Sequence, residues 1–239
     1  MNTIQIDKKH CKMIAHRGVC GLEKENTCAA FVAAGVKTYY GIETDVHVTA
    51  DGQYFVFHDD NMKRIAGVDI DIEKSTAEEI RAVRMPDTDG KTIRSDLVVP
   101  ELKDYIAVCK KYGKIAVLEL KNEMEKRHVL NIASIVAEMG WLEHTTFISF
   151  SANNLVALRE EYPDVAVQFL TCEITEENFE FMKRYRFGAD LLCTVVTREF
   201  VERMHAEGLE VNCWTVNLPE DAAKLIDMGV DYITSNILE

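Results

Sequence analysis

The chain has 239 residues, 47% of them hydrophobic, enough to bury a full core and close to the roughly 250 residues of an eight-fold β/α barrel. Forty acidic residues against 27 basic ones give a formal charge of −13, which argues against nucleic-acid partners or capture by an anionic membrane; any anionic substrate needs a local patch or a metal. The first fifteen residues lack the apolar core of a signal peptide, and no run approaches the ~20 apolar residues of a membrane span, so a cytoplasmic protein without stable membrane association is expected.

Short apolar runs alternate with longer amphipathic ones from end to end. Strands are predicted at 12–16, 41–47, 114–119, 145–149, 165–170, 189–194, 209–216 and 231–234. Helix starts are marked by Asn26-Thr27 before CAAFVAAG and by Ser151, Thr175, Thr197 and Pro219. Gly35, Gly140, Gly208 and Gly229 read as left-handed helix stops. Alternating elements of this kind predict an α/β fold, a (β/α)8 TIM barrel spanning residues 1–239 as one domain, with a doubly wound open sheet as the competing architecture. Residues 48–99, between strand 2 and the helix at PELKDYIAVCKKYG, far exceed an ordinary βα loop of about 2–6 residues. They are predicted to form a small insertion subdomain at the catalytic mouth, where they lid or shape the pocket. Five residues follow strand 8, so the N-terminal segment or a partner subunit is expected to cover that end. The oligomeric state is not legible. Seven cysteines (Cys11, Cys20, Cys28, Cys109, Cys172, Cys193, Cys213) are odd in number and form no CxxC pair, which indicates reduced core residues rather than disulfides or a zinc knuckle.

The stretch IETDVHVTADGQYFVFHD has the alternation of a two-stranded ribbon folded at Asp51-Gly52. With a two-residue turn, which Asp-Gly favours, Asp45 lies opposite His58 and Glu43 shares their face. A three-residue turn, Ala50-Asp51-Gly52 with a bulge at Gly52, shifts the register by one and faces His58 away. The two turns fit the stretch equally well, and the two-residue register is the one carried forward.

In a barrel of this type the strand C-termini converge on one mouth. Strand 1 ends in His16-Arg17-Gly18, strand 2 carries Glu43 and Asp45, the return ribbon ends in His58-Asp59, strand 3 ends in Glu119-Leu120-Lys121 and strand 7 carries Trp214. Three carboxylates with no convergent cysteine suit one hard divalent cation, Mg²⁺ or Ca²⁺, rather than zinc. Such an ion withdraws charge from a bound phosphate, Arg17 can fork onto a second oxygen and Lys121 adds a point charge. Two histidines can divide general-acid and general-base work near neutrality. Together these groups describe phosphodiester cleavage.

The segments AHRG, KENTCAAF, GIETDVHVTADGQYFVFHD, VPELKDY, LELK and NCWTVNLPEDAAKLIDMGVDYITSN follow one another as in the glycerophosphodiester phosphodiesterase family, and the resemblance covers nearly the whole chain. It implies a metal-dependent barrel that cleaves a small phosphodiester, a deacylated phospholipid, to sn-glycerol 3-phosphate and an alcohol. It also implies His16 and His58 as the acid/base pair, Glu43, Asp45 and Glu119 as metal ligands, and Arg17 and Lys121 as phosphate contacts. Lys24 stands where the family commonly has proline, which loosens that loop or adds a cation near the mouth. His47 falls on the predicted face of Glu43 and Asp45, as an extra ligand, a pocket residue or, more plainly, a structural or surface residue.

Each residue taken singly has a plainer reading. His16 holds its loop, Glu43 and Asp45 partner structural cations, His58 and Lys121 are solvated, and Trp214 is a core aromatic. Two buried carboxylates on one strand still need a common explanation. Two rival functions use the same residues: phospholipase D-like cleavage of a lysophospholipid, and non-catalytic binding of a phosphorylated metabolite. The first needs an apolar entrance that the polar segment RIAGVDIDIEKSTAEEIRAVRMPDTDGKTIRS offers little of. Aldol chemistry through a Lys121 Schiff base leaves the histidines and carboxylates unexplained.

Overall fold

The computed structural model describes residues 2–239. In chain order the elements are β1 (Lys12–Ala15), α1 (Cys28–Gly35), β2 (Gly41–Val48), β3 (Tyr54–Val56), α2 (Lys63–Ala66), α3 (Ala77–Ala82), α4 (Leu102–Tyr112), β4 (Ile115–Leu120), α5 (Lys126–Glu138), β5 (Thr145–Ser149), α6 (Ala152–Glu161), β6 (Ala166–Thr171), α7 (Glu176–Tyr185), β7 (Gly188–Leu192), α8 (Arg198–Ala206), β8 (Val211–Trp214), α9 (Pro219–Met228) and β9 (Tyr232–Ser235). Eight parallel strands run in the order β1-β2-β4-β5-β6-β7-β8-β9 and close through β9 onto β1, with β3 antiparallel on β2. The fold is a (β/α)8 barrel with an insertion after its second strand, and the open-sheet alternative is excluded by the β1–β9 pairing.

Local chemistry explains where the helices begin. The side chains of Thr27, Ser151, Thr175 and Thr197 each accept a hydrogen bond from the backbone N–H three residues on, and Pro219 opens α9. Gly140, Gly208 and Gly229 take the positive φ expected of helix stops, but Gly35 does not. Gly35 is instead a close-approach glycine, since a Cβ there would lie 2.5 Å from the Tyr112 ring. Inside the barrel, Ile14, Val117, Ile148, Leu170 and Tyr232 form an apolar plug under the mouth. Tyr105, fully buried on α4, ties helix to barrel by donating its hydroxyl proton to the Ile42 carbonyl at 2.6 Å.

Residues near the N-terminus pair with the tail that follows β9, the covering role expected of that segment. The Ile4 N–H donates to the Ile237 carbonyl at 3.0 Å, and the Glu239 N–H donates back to the Ile4 carbonyl at 2.8 Å. Cys11, Cys109 and Cys213 are buried as expected, whereas Cys20, Cys28 and Cys193 are only half-buried and Cys172 is exposed on the loop after β6. Among the described residues no helix is long and apolar enough to cross a membrane.

The ribbon register differs from the expectation. Val46 pairs with Val56, His47 with Phe55 and Val48 with Tyr54, so the loop holds three residues, Ala50, Asp51 and Gly52, and the residue opposite Asp45 is Phe57, not His58. Two interactions select this turn. Gly52 sits at φ +77, and the Asp51 carboxylate accepts from the Thr49 hydroxyl at 2.6 Å and from the Ala77 N–H at 3.0 Å.

The insertion has its own apolar core, in which Phe55, Phe57, Met62, Ile72, Ile80, Met85 and Leu97 are buried together. It is joined to the barrel by polar contacts. His47, fully buried at the end of β2, shares a hydrogen bond with Glu73 at 3.0 Å, and Asn122 donates to Asp60 and Glu73. His47 is therefore a strut between barrel and insertion, and it is not among the grouped carboxylates at the mouth.

Candidate active site

One pocket at the mouth is lined by His16, Arg17, Glu43, Asp45, His58, Glu119, Lys121 and Trp214, together with Ile148, Phe150, Leu170, Asp190 and Thr234. All eight residues singled out from the chain thus meet in one place. The loop after β1 is held by main-chain bonds from His16 N–H to the Ser235 carbonyl (2.9 Å), from Gly18 N–H to the Glu43 carbonyl (3.2 Å) and from Asn26 N–H to the Arg17 carbonyl (3.0 Å). Arg17 has φ +52 and Gly18 φ +73, and a Cβ on Gly18 would lie 2.6 Å from the Ala30 Cβ. Glycine is required there for the turn to close against α1.

Glu43, Asp45 and Glu119 are 4%, 1% and 8% exposed, and ligand atoms from all three lie within 4.8 Å of one another. Adjacent strands set this geometry, because Asp45 on β2 is the register partner of Glu119 on β4. Burial and the Asp45 charge push both Glu43 and Glu119 well above the usual carboxylate range. Burial acts the same way on Asp45, yet Lys121 and Arg17 outweigh it and hold Asp45 down. Beside the ionised Asp45, the buried Glu43 and Glu119 keep their protons rather than bear like charges, and a divalent cation would displace those protons. The donor set is oxygen only and fits a hard ion such as Mg²⁺ or Ca²⁺.

The cations face the same carboxylates. Lys121 Nζ lies 2.9 Å from Glu119 and 3.6 Å from Asp45. Arg17 donates to Glu25 at 2.9 Å and has its Nε 3.9 Å from Asp45. That Nε is buried without a hydrogen-bond partner, an unfilled donor in a pocket suited to an anion.

Each histidine is oriented through Nδ1. His16 Nδ1 lies 2.6 Å from the Asn236 side-chain oxygen, and His58 Nδ1 lies 2.7 Å from Asp59. Carbonyl and carboxylate oxygens accept only, so both rings carry the proton on Nδ1 and present a bare Nε2. Burial and the Arg17 guanidinium bring His16 down to about 4, and burial lowers His58 as well. His58 reaches the pocket despite the shifted register because β3 ends at Val56, and the chain beyond Phe57 is no longer bound to alternate faces.

Trp214 lines the wall, its indole N–H 3.4 Å from the Asp190 carbonyl and its ring edge-to-face with Phe150 at 5.8 Å. Two residues at the site, Asn26 beside Asp45 and Asp190 in the pocket wall, had no functional reading from the chain alone. Asn26, inside the quoted KENTCAAF segment, donates to Asp45 at 2.8 Å and accepts from Thr44; its segment was the available signal. Asp190, buried on β7 with Oδ1 unpartnered, sits within an ordinary apolar strand run and carried no signal.

The model of the glycerophosphoryl diester phosphodiesterase family matches residues 16–238. The chain is 29% identical to YhdW of Bacillus subtilis, over 94% of this chain and 93% of that protein. It is 25% identical to a glycerophosphodiester phosphodiesterase of Caldanaerobacter subterraneus, over 94% and 93%. Among solved structures, an Oleispira antarctica phosphodiesterase in complex with the product sn-glycerol-3-phosphate is similar with a TM-score of 0.84 at 25% identity, covering 95% of this chain and 93% of that one.

Proposed function

The chain belongs to the glycerophosphoryl diester phosphodiesterase family, and we propose that it hydrolyses small glycerophosphodiesters to sn-glycerol 3-phosphate and an alcohol by acid/base catalysis between His16 and His58. The observation that carries this reading is the convergence of two Nδ1-anchored imidazoles, two cations and an oxygen-only carboxylate trio on one pocket. The Oleispira antarctica relative, bound to sn-glycerol-3-phosphate, supports the same product here.

A Mg²⁺ or Ca²⁺ held by Glu43, Asp45 and Glu119 would supply charge that draws electron density from phosphorus. The chain's own groups do the rest. The unfilled Arg17 Nε donor and the Lys121 ammonium bind the phosphate oxygens and neutralise them as charge builds in the transition state. One imidazole takes the proton of the attacking hydroxyl through its bare Nε2. As the bond from phosphorus to the alcohol oxygen breaks, the other imidazole, protonated beforehand, gives that oxygen a proton. The attacking hydroxyl is water or the glycerol 2-hydroxyl, and transient cyclic phosphate in the product analysis marks the second route.

The test is product analysis on a panel of glycerophosphodiesters with and without chelator, with lysophosphatidylcholine alongside. Alcohol and sn-glycerol 3-phosphate should form only when a divalent cation is supplied, and His16→Ala or His58→Ala should lower turnover by about 10²–10⁴-fold with the fold intact. Near-native turnover in both variants would refute the assignment. Preference for lysophosphatidylcholine would support the lipid rival, and saturable glycerol-phosphate binding without alcohol release would support the binding protein.

A further inference from the structure

The geometry points to Arg64 as a positioning residue that locks the His58 imidazole in place through Asp59 while anchored to the Arg17 loop through Glu25. This inference rests on the catalytic reading of His58. Arg64 lies on α2 in the insertion and touches none of the grouped carboxylates. Its guanidinium forks onto Asp59, with Nε 2.6 Å from one carboxylate oxygen and a terminal nitrogen 2.8 Å from the other. It forks a second time onto Glu25, at 3.0 and 3.1 Å. Both carboxylates reach onward to the site. The Asp59 oxygen 2.8 Å from Arg64 is the one 2.7 Å from His58 Nδ1, and the Glu25 oxygen 3.0 Å from Arg64 also accepts from Arg17 at 2.9 Å.

A half-exposed ion pair of this kind adds little to stability, so two forks on one guanidinium are better explained by what they orient. Asp59 follows His58 directly and has few rotamers that reach its ring. Arg64 holds it in one of them, which fixes the Nδ1–H tautomer and turns Nε2 toward the pocket. Only arginine, planar and five-donor, can fork twice at once; lysine offers the charge without the shape. The Glu25 fork makes the hold act between two chain segments, so His58 and Arg17 are kept at one separation.

The insertion does not depend on Arg64 for docking. Arg94 reaches Glu23 on the same loop at 3.1 Å, His47 binds Glu73 and Asn122 binds Asp60. Arg64 itself is outside the apolar cluster of the insertion. Arg64→Ala is therefore expected to fold, and Arg64→Lys, which keeps stem and charge, gives a second variant with the same two readouts.

Turnover is measured by steady-state kinetics on a glycerophosphodiester, with and without methylguanidinium, and the His58 tautomer by ¹⁵N spectra of the imidazole. Arg64→Ala should lower kcat about 10–100-fold with a much smaller change in KM, and methylguanidinium should restore much of the loss. Arg64→Lys should remain impaired. The His58 spectrum should show the single Nδ1–H tautomer in the native protein and a tautomer mixture in both variants. Native kcat in either folded variant, or a kcat loss with the single tautomer retained, would overturn the assignment. The spectra do not require turnover. A mixed tautomer in the variants of a protein that cleaves no glycerophosphodiester would therefore uphold the clamp and sink the proposed function, so the two failures are distinguishable.

Discussion

His16 gives the most quantitative test of the site, because its charge state is written into acid stability. Burial and the Arg17 guanidinium lower it from the ordinary 6.5 to about 4. Between those values the unfolded chain takes up a proton that the folded chain refuses. Folding stability from this residue is thus complete above pH ~6.5 and declines as pH falls toward ~4. At ~1.4 kcal/mol per pKa unit the full loss is about 3 kcal/mol, and about 2 kcal/mol of it has accrued by pH ~5. Glu43 and Glu119 act in the opposite sense, since their raised pKa makes the folded state the better proton acceptor. The comparison is therefore made by difference. Urea unfolding in chelator at pH ~7 and ~5 is measured for the native protein and for His16→Asn, which cannot titrate. The native protein should lose about 2 kcal/mol more than the variant. Equal losses would mean that His16 is not held as a buried neutral imidazole, and the reasoning that leaves its Nε2 free to accept a proton would fail with it.

Three further outcomes are expected. Mg²⁺ or Ca²⁺ added to chelated protein should raise the thermal midpoint, by about 2.7 kcal/mol of stability at a hundredfold excess over Kd; Glu119→Gln should abolish that shift while stabilising the cation-free fold, as calorimetry would show. Gly18→Ala should cost about 2–4 kcal/mol in urea titration and sharply lower turnover, because the new Cβ would meet Ala30 while φ stays at +73. Burial and Glu119 raise the Asp190 carboxyl well above its ordinary range, so the folded chain holds a proton there that the unfolded chain releases at neutral pH. Asp190→Asn should accordingly raise the thermal midpoint near pH ~7 and lose that advantage below pH ~4, where the unfolded carboxyl is protonated too.

The barrel was legible because its signals are local. Apolar runs of strand length, closed by Thr27, Ser151, Thr175, Thr197 and Pro219, mark element ends through bonds spanning only a few residues. The grouping of Glu43, Asp45 and Glu119 was legible for a related reason, since residues at the C-terminal ends of neighbouring parallel strands must meet at the mouth. The ribbon turn was not. It is chosen by Asp51 reaching Ala77 in α3, a contact set by how the insertion folds and invisible to the Asp-Gly preference. Gly35 misled in the same way, for its reason lies across the helix interface at Tyr112.

The position of His58 shows what the insertion contributes. The shifted register would turn His58 away if the ribbon continued to it, yet His58 lines the pocket. Strand pairing therefore cannot be what places the ring. The contacts that remain are tertiary: the His58 carbonyl lies 3.4 Å from His47 Nε2, the ring is held by Asp59, and Asp59 is held by Arg64. His47 is in turn bound to Glu73. Every one of these partners except His47 belongs to the segment between β2 and α4. Barrel strands supply the carboxylates and His16, whereas the second histidine is delivered by the insertion. This explains why a segment that contributes only His58 to the pocket wall carries a core of its own: a rigid body is needed to hold one imidazole against the strand ends.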